Sequence, residues 1–275
     1  MRKSLLFIPA NHPAMLQNAD IFESDSVIFD LEDGVHLTEK DAAKDLLISF
    51  LDTFKLSDLE IIIRINKITD LKEIMHEQID TILLPKADQK SLLLLDQTLT
   101  TLEKKFKLKK KIGIIALIET PESVLNALDI AKQKRVNGLL LGAEDLATYL
   151  GVSRTLEGHE IEFARNMVIY AAKTYQIDAI DTPFVNTNDL SGLKQDTLYA
   201  KSLGMSGKAC IHPNQIDLIN TLFLPSIEDI KYAQKILLAK EKADQEGLGA
   251  FSVDGKMIDQ PIIKRAQNII EKSKG

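Results

Sequence analysis

Acidic residues at or after the ends of several apolar runs are the side chains of this sequence best suited to do chemistry. They are Asp30, Glu32, Asp33, Glu119, Asp145 and Asp181, and we expect them to lie at one rim of the fold. Carboxylates that meet at one place repel one another unless a cation neutralises them. Mg²⁺ suits such a place, because it takes one or two protein carboxylates and leaves its other positions to water and substrate. We predict that Glu119 and Asp145 are the metal ligands.

The three acids within residues 30–33 are too close in sequence for all of them to be ligands. We expect Asp30 and Asp33 to hold metal-bound water, or else to hold a loop. A simpler interpretation applies to every acid of the set, because a carboxylate at the start of a helix stabilises the positive end of the helix dipole.

Two cations, Arg64 and Lys86, also come at the ends of apolar runs. The guanidinium of Arg64 could bind a substrate carboxylate through two parallel hydrogen bonds. The alternative for Arg64 is a structural ion pair with a neighbouring acid. A lysine kept out of water at such a position could form a Schiff base. Lys86 could equally pair with Asp88 or another acid.

The histidines and the cysteine give weaker signals. The five histidines show no spacing typical of a metal site. His212 could line a site, although a packed and hydrogen-bonded histidine is at least as good an interpretation. Cys210 is the single cysteine, which excludes an intrachain disulfide and a cysteine cluster for zinc. Its place inside an apolar run is typical of a buried thiol.

Eight short β-rich runs, separated by longer amphipathic stretches such as 92–105 and 160–175, must position these side chains. The runs are 5–9, 26–31, 60–65, 81–85, 112–118, 138–141, 177–181 and 207–211. Most are continuous Val, Ile and Leu runs, as in parallel strands covered on both faces. The pattern predicts an α/β fold, a (β/α)8 TIM barrel, with an open doubly wound sheet as the alternative. In a barrel the active groups lie at the carboxyl ends of the strands.

The pattern changes after the eighth run. We expect the barrel to occupy residues 1–225, and residues 226–275 to form a C-terminal helix and cap extension. Ser226 is the predicted N-cap of a helix that ends at Gly247-Leu248-Gly249. The tail that follows contains a turn at Asp254-Gly255 and a final helix from about Pro261. It is too small to fold alone, so it should pack on its own barrel or on a neighbouring subunit.

Length and composition restrict the class of protein. The chain has 275 residues, of which 45% are hydrophobic, enough for a sizeable core. A net charge of −6 argues against a nucleic-acid partner. No apolar run is long enough to span a bilayer, and the N-terminal one stops at Pro9, too early for a secretory signal. A reducing, cytoplasmic setting is the expectation.

Short segments along the whole chain match one known family. They are 4–9 (SLLFIP), 30–35 (DLEDGV), 64–66 (RIN), 84–86 (LPK), 116–120 (ALIET), 141–146 (LGAEDL), 154–158 (RTLEG), 179–182 (AIDT), 207–208 (GK), 211–216 (IHPNQI) and 255–261 (GKMIDQP). Together they are specific, because so many occur in order. Through them the chain resembles the citrate lyase β-subunit-like family of the aldolase/citrate lyase superfamily. Its members are TIM-barrel lyases acting on citryl-, malyl- or citramalyl-CoA.

The resemblance implies a role for individual residues. Glu119 and Asp145 would bind Mg²⁺, and Glu119 would also contact substrate. Arg64 would hold the carboxylate of a 2-oxo acid (oxaloacetate, glyoxylate or pyruvate) during catalysis, and Asp30 would hold metal-bound water. Asp259 resembles the acid/base residue of the CoA-ester lyases. The tail that carries Asp259 would cover the active site of an adjacent subunit in a homotrimer or hexamer.

We therefore expect a magnesium-dependent carbon–carbon lyase that converts a 2-hydroxy-acyl-CoA thioester to a 2-oxo acid and acetyl-CoA, or the reverse. One alternative is the β subunit of a multi-subunit citrate lyase, working with other subunits on a carrier-protein thioester. A second is a CoA-independent pyruvate aldolase. The chain has His212-Pro213 where some citrate lyase β subunits carry Asn-Pro, and Ala10 after Pro9 where glycine is common. The first departure favours a stand-alone malyl- or citramalyl-CoA lyase.

Overall fold

The computed structural model describes residues 2–56, 59–245, 247 and 249–273. The chain divides into two units, Met1–Asn220 and Thr221–Gly275. Each unit has an apolar core of its own. The two are therefore described separately.

Eight parallel strands close into a barrel in the first unit, in the order in which they occur along the chain. They are β1 (Ser4–Pro9), β2 (Ser26–Asp30), β3 (Glu60–Arg64), β4 (Thr81–Leu84), β5 (Gly113–Ile118), β6 (Val136–Leu141), β7 (Asp178–Asp181) and β8 (Gly207–Cys210). Because β1 pairs with both β2 and β8, the sheet has no free edge. The predicted α/β barrel is confirmed, and the doubly wound alternative is wrong. Each strand starts and ends within two residues of its predicted run.

Helices follow the strands and surround the barrel. They are α1 (Pro13–Gln17), α2 (Lys40–Thr53), α3 (Leu71–Ile74), α4 (Gln89–Phe106), α5 (Pro121–Leu125), α6 (Ala127–Ala131), α7 (Ala143–Leu150), α8 (His159–Tyr175), α9 (Leu190–Leu203) and α10 (Ile216–Phe223). The predicted helices 92–105 and 160–175 lie within α4 and α8. None of the helices in the described part of the chain is long and apolar enough to cross a membrane.

Apolar side chains from every strand fill the barrel interior. They are Leu5, Ile28, Ile62, Leu83, Ile115, Leu117, Leu140, Ile180 and Ala209. Successive side chains of a strand point to opposite faces, so the residue two positions after the last of these on each strand points into the barrel mouth. On β2, β3, β5 and β7 that rule selects Asp30, Arg64, Glu119 and Thr182.

Four charged side chains are buried on the outer face of β7 and β8, under α8 and α9. Asp181 lies 2.9 Å from Arg165 (Oδ1 to Nε) and 2.6 Å from Lys208 (Oδ2 to Nζ). Asp196 lies 2.5 Å from Arg165 (Oδ1 to Nη2) and 2.6 Å from Lys208 (Oδ2 to Nζ). Two positive and two negative charges balance here, and each carboxylate has two cationic partners, which is the arrangement that makes burial of charge tolerable. This buried charge cluster joins two helices to the ends of two strands.

The second unit contains two helices and a hairpin: α11 (Ile227–Gln245), β9 (Phe251–Val253), β10 (Lys256–Ile258) and α12 (Gln260–Lys272). Ser226 caps α11 as predicted, because its Oγ accepts a hydrogen bond from Asp229 N at 3.0 Å. Leu248, in the predicted break after α11, lies outside the described residues.

The predicted turn at Asp254-Gly255 joins β9 to β10, two strands that the sequence analysis did not predict. Asp254 and Gly255 have φ of 52° and 75°, the positive values that a tight two-residue hairpin turn requires. The core of this unit consists of Ala233, Ile236, Val253, Ile258, Ile263 and Ala266. The hairpin therefore contributes two of the buried side chains that hold α11 and α12 together.

Candidate active site

Glu119 reaches the barrel mouth at the end of β5. The residues after it form a capping box that begins α5, in which Ser123 N donates to Thr120 Oγ1 and Thr120 N donates to Ser123 Oγ, both at 3.0 Å. The Glu119 side chain is buried, and its Oε1 accepts a hydrogen bond from Lys86 N at 2.6 Å. The backbone N–H that follows β4 and the capping box that follows β5 therefore fix this carboxyl group.

Asp145 lies in the first turn of α7, which begins directly after β6 with Gly142 as its N-cap. A Cβ atom at Gly142 would lie 2.7 Å from Glu119 Cβ and 2.9 Å from Glu119 Oε2. Only glycine lets the helix begin so close to the glutamate. Asp145 consequently lies near enough to Glu119 for its carboxyl group to raise the pKa of Glu119.

The electrostatics of this pair fit a divalent cation. Burial raises the pKa of Glu119 to about 8 against the lowering effect of the Lys86 N–H, and the carboxyl groups of Glu32 and Asp145 add to the rise. Burial likewise raises the pKa of Glu32 to about 7. Glu32 Oε2 accepts no hydrogen bond among the described residues and is held only by an ion pair with Arg64 Nη1 at 3.1 Å. A bound cation would favour the ionised form of each of these groups.

The donor set fits Mg²⁺ better than a metal that needs an all-protein shell. Within the residues that the structure describes, no three His, Cys, Asp or Glu side chains converge on one point. Mg²⁺ keeps several water ligands and needs one or two carboxylates. The Glu119–Asp145 pair satisfies that requirement.

Arg64 at the end of β3 places its guanidinium on Asp30. Arg64 Nε donates to Asp30 Oδ1 at 2.7 Å, and Nη2 donates to Oδ2 at 2.6 Å. The remaining nitrogen, Nη1, lies 3.1 Å from Glu32 Oε2 and 3.5 Å from Asp33 Oδ2. Burial alone would lower the pKa of Arg64, but the negative charges of Asp30, Glu32 and Asp33 raise it instead. The structural ion pair thus exists, and Nη1, which makes no hydrogen bond to Asp30, is the nitrogen that a substrate carboxylate could take over from Glu32 and Asp33.

The three acids of the 30–33 stretch separate into different roles. Both oxygens of Asp30 are engaged by Arg64, and they also accept from Glu32 N and Gly34 N at 2.8 Å. Asp30 therefore holds the loop and the arginine. The Asp33 side chain is 70% exposed, whereas that of Glu32 is 13% exposed and lies near Glu119. Glu32 was among the candidate acids but was given no role in the predicted site, although the period-two rule that places Asp30 in the mouth also favours Glu32.

Lys86 contributes its backbone to the site. Its φ of 46° lies in the left-handed region, a costly conformation for a residue with a Cβ atom, and that conformation accompanies the hydrogen bond from Lys86 N to Glu119. Its side chain is exposed, and its ammonium lies near enough to Glu32 to lower that pKa. An exposed amine lacks the desolvation that activates a Schiff-base lysine.

Three other candidates lie elsewhere. Asp181 ends β7 as predicted, but its carboxylate points outward into the buried charge cluster, because it is next to the inward-pointing Ile180. It is not a mouth acid, and that prediction was wrong. His212 caps a short turn, where its Nδ1 accepts from Asn214 N at 3.2 Å. Burial raises the pKa of the Cys210 thiol to about 12, so it is inert.

Asp259 belongs to the second unit, where it is the N-cap of α12. Its Oδ1 accepts a hydrogen bond from Ile262 N at 3.3 Å, and the residue is exposed. The carboxylate therefore has a structural function in its own helix, in addition to any chemistry.

The first unit is thus a (β/α)8 barrel whose mouth carries a buried glutamate with an aspartate near it, and an arginine, a set of groups suited to a divalent cation and a small organic acid. The HpcH/HpaI aldolase/citrate lyase family model matches residues 3–213. The chain belongs to this family.

Individual relatives cover almost the whole chain. The citrate lyase subunit beta of Leuconostoc mesenteroides subsp. cremoris is 37% identical over 282 residues, which cover 98% of this chain and 93% of that protein. The mitochondrial citramalyl-CoA lyase of Rattus norvegicus is 27% identical over 287 residues, which cover 98% and 85%. The CitE protein of Mycobacterium tuberculosis, solved in complex with magnesium, acetoacetate and coenzyme A, matches with a TM-score of 0.81 and 27% identity, covering 100% and 98%.

Proposed function

We propose that this protein is a magnesium-dependent carbon–carbon lyase that splits the thioester of a 2-hydroxy acid, with the hydroxyl on the carbon β to the thioester carbonyl, into a 2-oxo acid and an acetyl thioester, or joins them. The observation that carries the proposal is the buried Glu119 carboxyl group with half-buried Asp145 near it, at the same barrel mouth as Arg64. Membership of a lyase and aldolase family supports carbon–carbon chemistry. The CitE complex with magnesium and coenzyme A supports this cofactor and a thioester substrate.

Glu119 and Asp145 would hold Mg²⁺. Glu32, half-buried near Glu119, would accept hydrogen bonds from water on the cation, the role that was predicted for Asp30 and Asp33. When bound, the cation would supply Lewis-acid stabilisation of negative charge on the substrate oxygens. The Lys86 N–H keeps one oxygen of Glu119 occupied and so orients the carboxylate.

Arg64 would bind the carboxylate of the 2-oxo acid through Nη1, while Asp30 holds the opposite edge of the guanidinium. Binding fixes the bond to be broken relative to the carboxylate pair. In the cleavage direction the hydroxyl group passes its proton to water and becomes the carbonyl of the 2-oxo acid. The electron pair of the carbon–carbon bond passes to the thioester, which leaves as an enolate.

Asp259 would protonate the enolate carbon, and in the reverse direction it would remove a proton from the acetyl methyl group. We propose that the second unit brings Asp259 to the active site of a neighbouring subunit in a homotrimer or hexamer. An exposed carboxylate at the start of α12 supports this role, because it is accessible to a partner.

The comparison with relatives bears on which thioester is the substrate. Higher identity to citrate lyase subunit beta than to citramalyl-CoA lyase, 37% against 27%, favours a citryl thioester with oxaloacetate as the 2-oxo acid. The same difference favours a β subunit that uses a carrier-protein thioester with partner subunits as the second candidate. A CoA-independent pyruvate aldolase finds less support, because nothing in such a reaction needs Asp259. The single cysteine agrees with a cytoplasmic setting.

The test is to incubate the isolated full chain with citryl-, malyl- and citramalyl-CoA, each with Mg²⁺ or with EDTA, and to measure the 2-oxo acid released. We expect Mg²⁺-dependent release, with citryl-CoA the best substrate. Glu119→Gln should abolish it. Glu122→Gln, an exposed carboxylate three residues further along, is the matched control and should retain it.

Each outcome separates the candidates. Release that persists in EDTA would overturn the metal mechanism. If a folded chain that binds Mg²⁺ releases no 2-oxo acid from any CoA ester, the substrate would instead be a carrier-protein thioester. Release of pyruvate from a free hydroxy-oxo acid, but from none of the thioesters, would establish the aldolase.

A further inference from the structure

β7 ends in two residues whose side chains point to opposite faces of the sheet. Ile180 belongs to the barrel interior, so Asp181 points outward, where Arg165 and Lys208 hold it in the buried charge cluster. Thr182 then points back toward the barrel mouth and is 1% exposed. The ion pairs of Asp181 fix the backbone from which Thr182 projects.

The hydroxyl of Thr182 meets the start of α7. The first N–H groups of a helix have no partner within the helix and need acceptors from elsewhere. Gly142, the N-cap of α7, has no side chain to provide one. Thr182 Oγ1 accepts the hydrogen bond from Ala143 N instead, at 3.2 Å in a buried setting. The cap of α7 therefore comes from a neighbouring strand.

The capped turn is the one that carries Asp145. Asp145 is two residues after Ala143, so the two residues share the first helical turn. On the other side of that turn, Gly142 N donates to Ile118 O at 3.0 Å, which ties the helix start to the end of β5 just before Glu119. The first turn of α7 is thus fixed between β5 and β7.

We propose that Thr182 is a positioning residue for metal binding: by capping α7 from β7, its hydroxyl fixes the helical turn that carries Asp145 and so keeps Asp145 near Glu119. The inference rests on the proposed function, because it takes Glu119 and Asp145 as the ligands. Residues that orient ligands from outside the ligand set typically change metal affinity by about 10–100-fold when they are lost.

The test measures the affinity of the full chain for Mn²⁺, a spectroscopic substitute for Mg²⁺, from the electron paramagnetic resonance signal of the free ion. Thr182→Val keeps the shape but removes the acceptor, and it should raise the Kd for Mn²⁺ by about 10–100-fold. Thr182→Ser keeps the hydroxyl and should remain within about threefold of the parent, a bound set by the lower end of the same range. Hydrogen exchange at the Ala143 amide should accelerate in the valine variant and not in the serine variant.

Thr197→Val is the matched control. Thr197 is 0% exposed in the same unit, but its hydroxyl donates to Leu193 O within its own helix at 2.7 Å. It should lower thermal stability without changing the Kd for Mn²⁺. Should Thr182→Val fail to fold, Thr182→Ala removes the same hydroxyl and carries the same expectation.

An unchanged Kd in folded Thr182→Val or Thr182→Ala would overturn the inference. So would an equal loss in Thr197→Val, which would show a general effect of destabilisation, or an equal loss in Thr182→Ser, which would assign the effect to the methyl group. Glu119→Gln distinguishes a failure of the proposed metal site from a failure of the proposed role of Thr182. If that variant binds Mn²⁺ normally, the proposed metal site is wrong; if it loses Mn²⁺ while Thr182→Val does not, only the role of Thr182 is wrong.

Discussion

At the scale of single residues, the site is an assembly of carboxyl groups held in positions that disfavour their charge. Glu119 is buried beside Asp145 and near Glu32, and its pKa is about 8 as a result. Burial of an acid that would be ionised in the unfolded chain lowers the stability of the fold. The buried carboxyl group of Glu119 should therefore lower the free energy of unfolding of the metal-free protein by a measurable amount.

The pH dependence of that cost has a definite sign. The pKa of Glu119 is about 8 in the folded protein and near 4.5 when unperturbed, so between these values the folded state binds more protons. Stability in EDTA should fall as pH rises from 4.5 to 8. Glu119→Gln removes this loss and should be more stable than the parent at pH 8 by about 1–3 kcal/mol, measured by urea unfolding.

Mg²⁺ should offset most or all of this difference. At a concentration about 100 times Kd, it should stabilise the parent by about 2.7 kcal/mol and leave Glu119→Gln unchanged. Glu122→Gln, on the exposed surface of α5, should behave like the parent in both conditions. A Glu119→Gln variant no more stable than the parent at pH 8 in EDTA would contradict the raised pKa.

Arg64 carries the second prediction at this scale. Arg64→Lys replaces a planar fork by a point charge, so it should lose the paired contact with Asp30 and the orientation of Nη1. We expect affinity for oxaloacetate, titrated calorimetrically with Mg²⁺ present, to fall by about 10–100-fold, on the scale of a lost charge-assisted hydrogen bond. Arg135→Lys also breaks a largely buried ion pair, with Glu103, and should leave this affinity unchanged. Equal affinities in Arg64→Lys and the parent would contradict the assignment.

Some residues of the barrel mouth could be predicted from the sequence and others could not, for a physical reason. Glu119 and Arg64 were found because each follows a single unambiguous apolar run. Asp181 was misplaced because β7 is buried on both faces, and a strand of that kind has no polar alternation to show which way each side chain points. Only the closed barrel reveals that Asp181 meets Lys208 and Arg165, which are distant along the chain.

At the scale of elements, prediction succeeded where a signal extends over several residues. All eight barrel strands were predicted, and β6 was two residues longer than expected because Asn137 and Gly138 weaken the strand pattern at its start. The hairpin of the second unit was missed, although its turn was found. Its strands have three residues each, too few for a pattern, and they exist through contacts with α11 and α12.

The cap of α12 gives the prediction at this scale. Asn caps a helix about as well as Asp, whereas Ala does not. Asp259→Ala should therefore destabilise α12 by about 1 kcal/mol and speed hydrogen exchange at Ile262, while Asp259→Asn should do neither. Both variants should lose lyase turnover, because neither retains an ionisable carboxyl group. Turnover retained in Asp259→Asn would show that Asp259 is a cap and nothing more.

At the scale of the whole molecule, the barrel was predictable because eight β/α repeats in a chain of this length leave few alternatives. The meeting of Glu119, Asp145 and Arg64 followed from it, since parallel strands in a closed barrel bring their carboxyl ends together. The ion pair of Arg64 with Asp30 could not be predicted with the same force. Which of several nearby acids an arginine selects depends on rotamers and loop geometry, and these are fixed only after closure.

Subunit exchange tests the proposed contribution of the second unit. Glu119→Gln and Asp259→Asn should each be inactive alone. If Asp259 acts on a neighbouring subunit, mixing the two under conditions that exchange subunits should form some sites with both groups intact and restore part of the activity. Light scattering and mass-labelled chains would verify exchange. Full exchange without recovered activity would show that each chain uses its own Asp259.

The buried charge cluster also limits how this barrel can be altered by recombination. Changing any one of Arg165, Asp181, Asp196 or Lys208 leaves an uncompensated charge in the interior, which typically costs about 3–5 kcal/mol. The four residues must therefore change together or not at all. All four lie within residues 165–208, so a chimera that exchanges this segment whole with a related barrel transfers a balanced set. A crossover placed inside the segment would combine charged residues from two different proteins, and their charges need not balance. Sites before Arg165 or after Lys208 are therefore the ones suited to joining two family members.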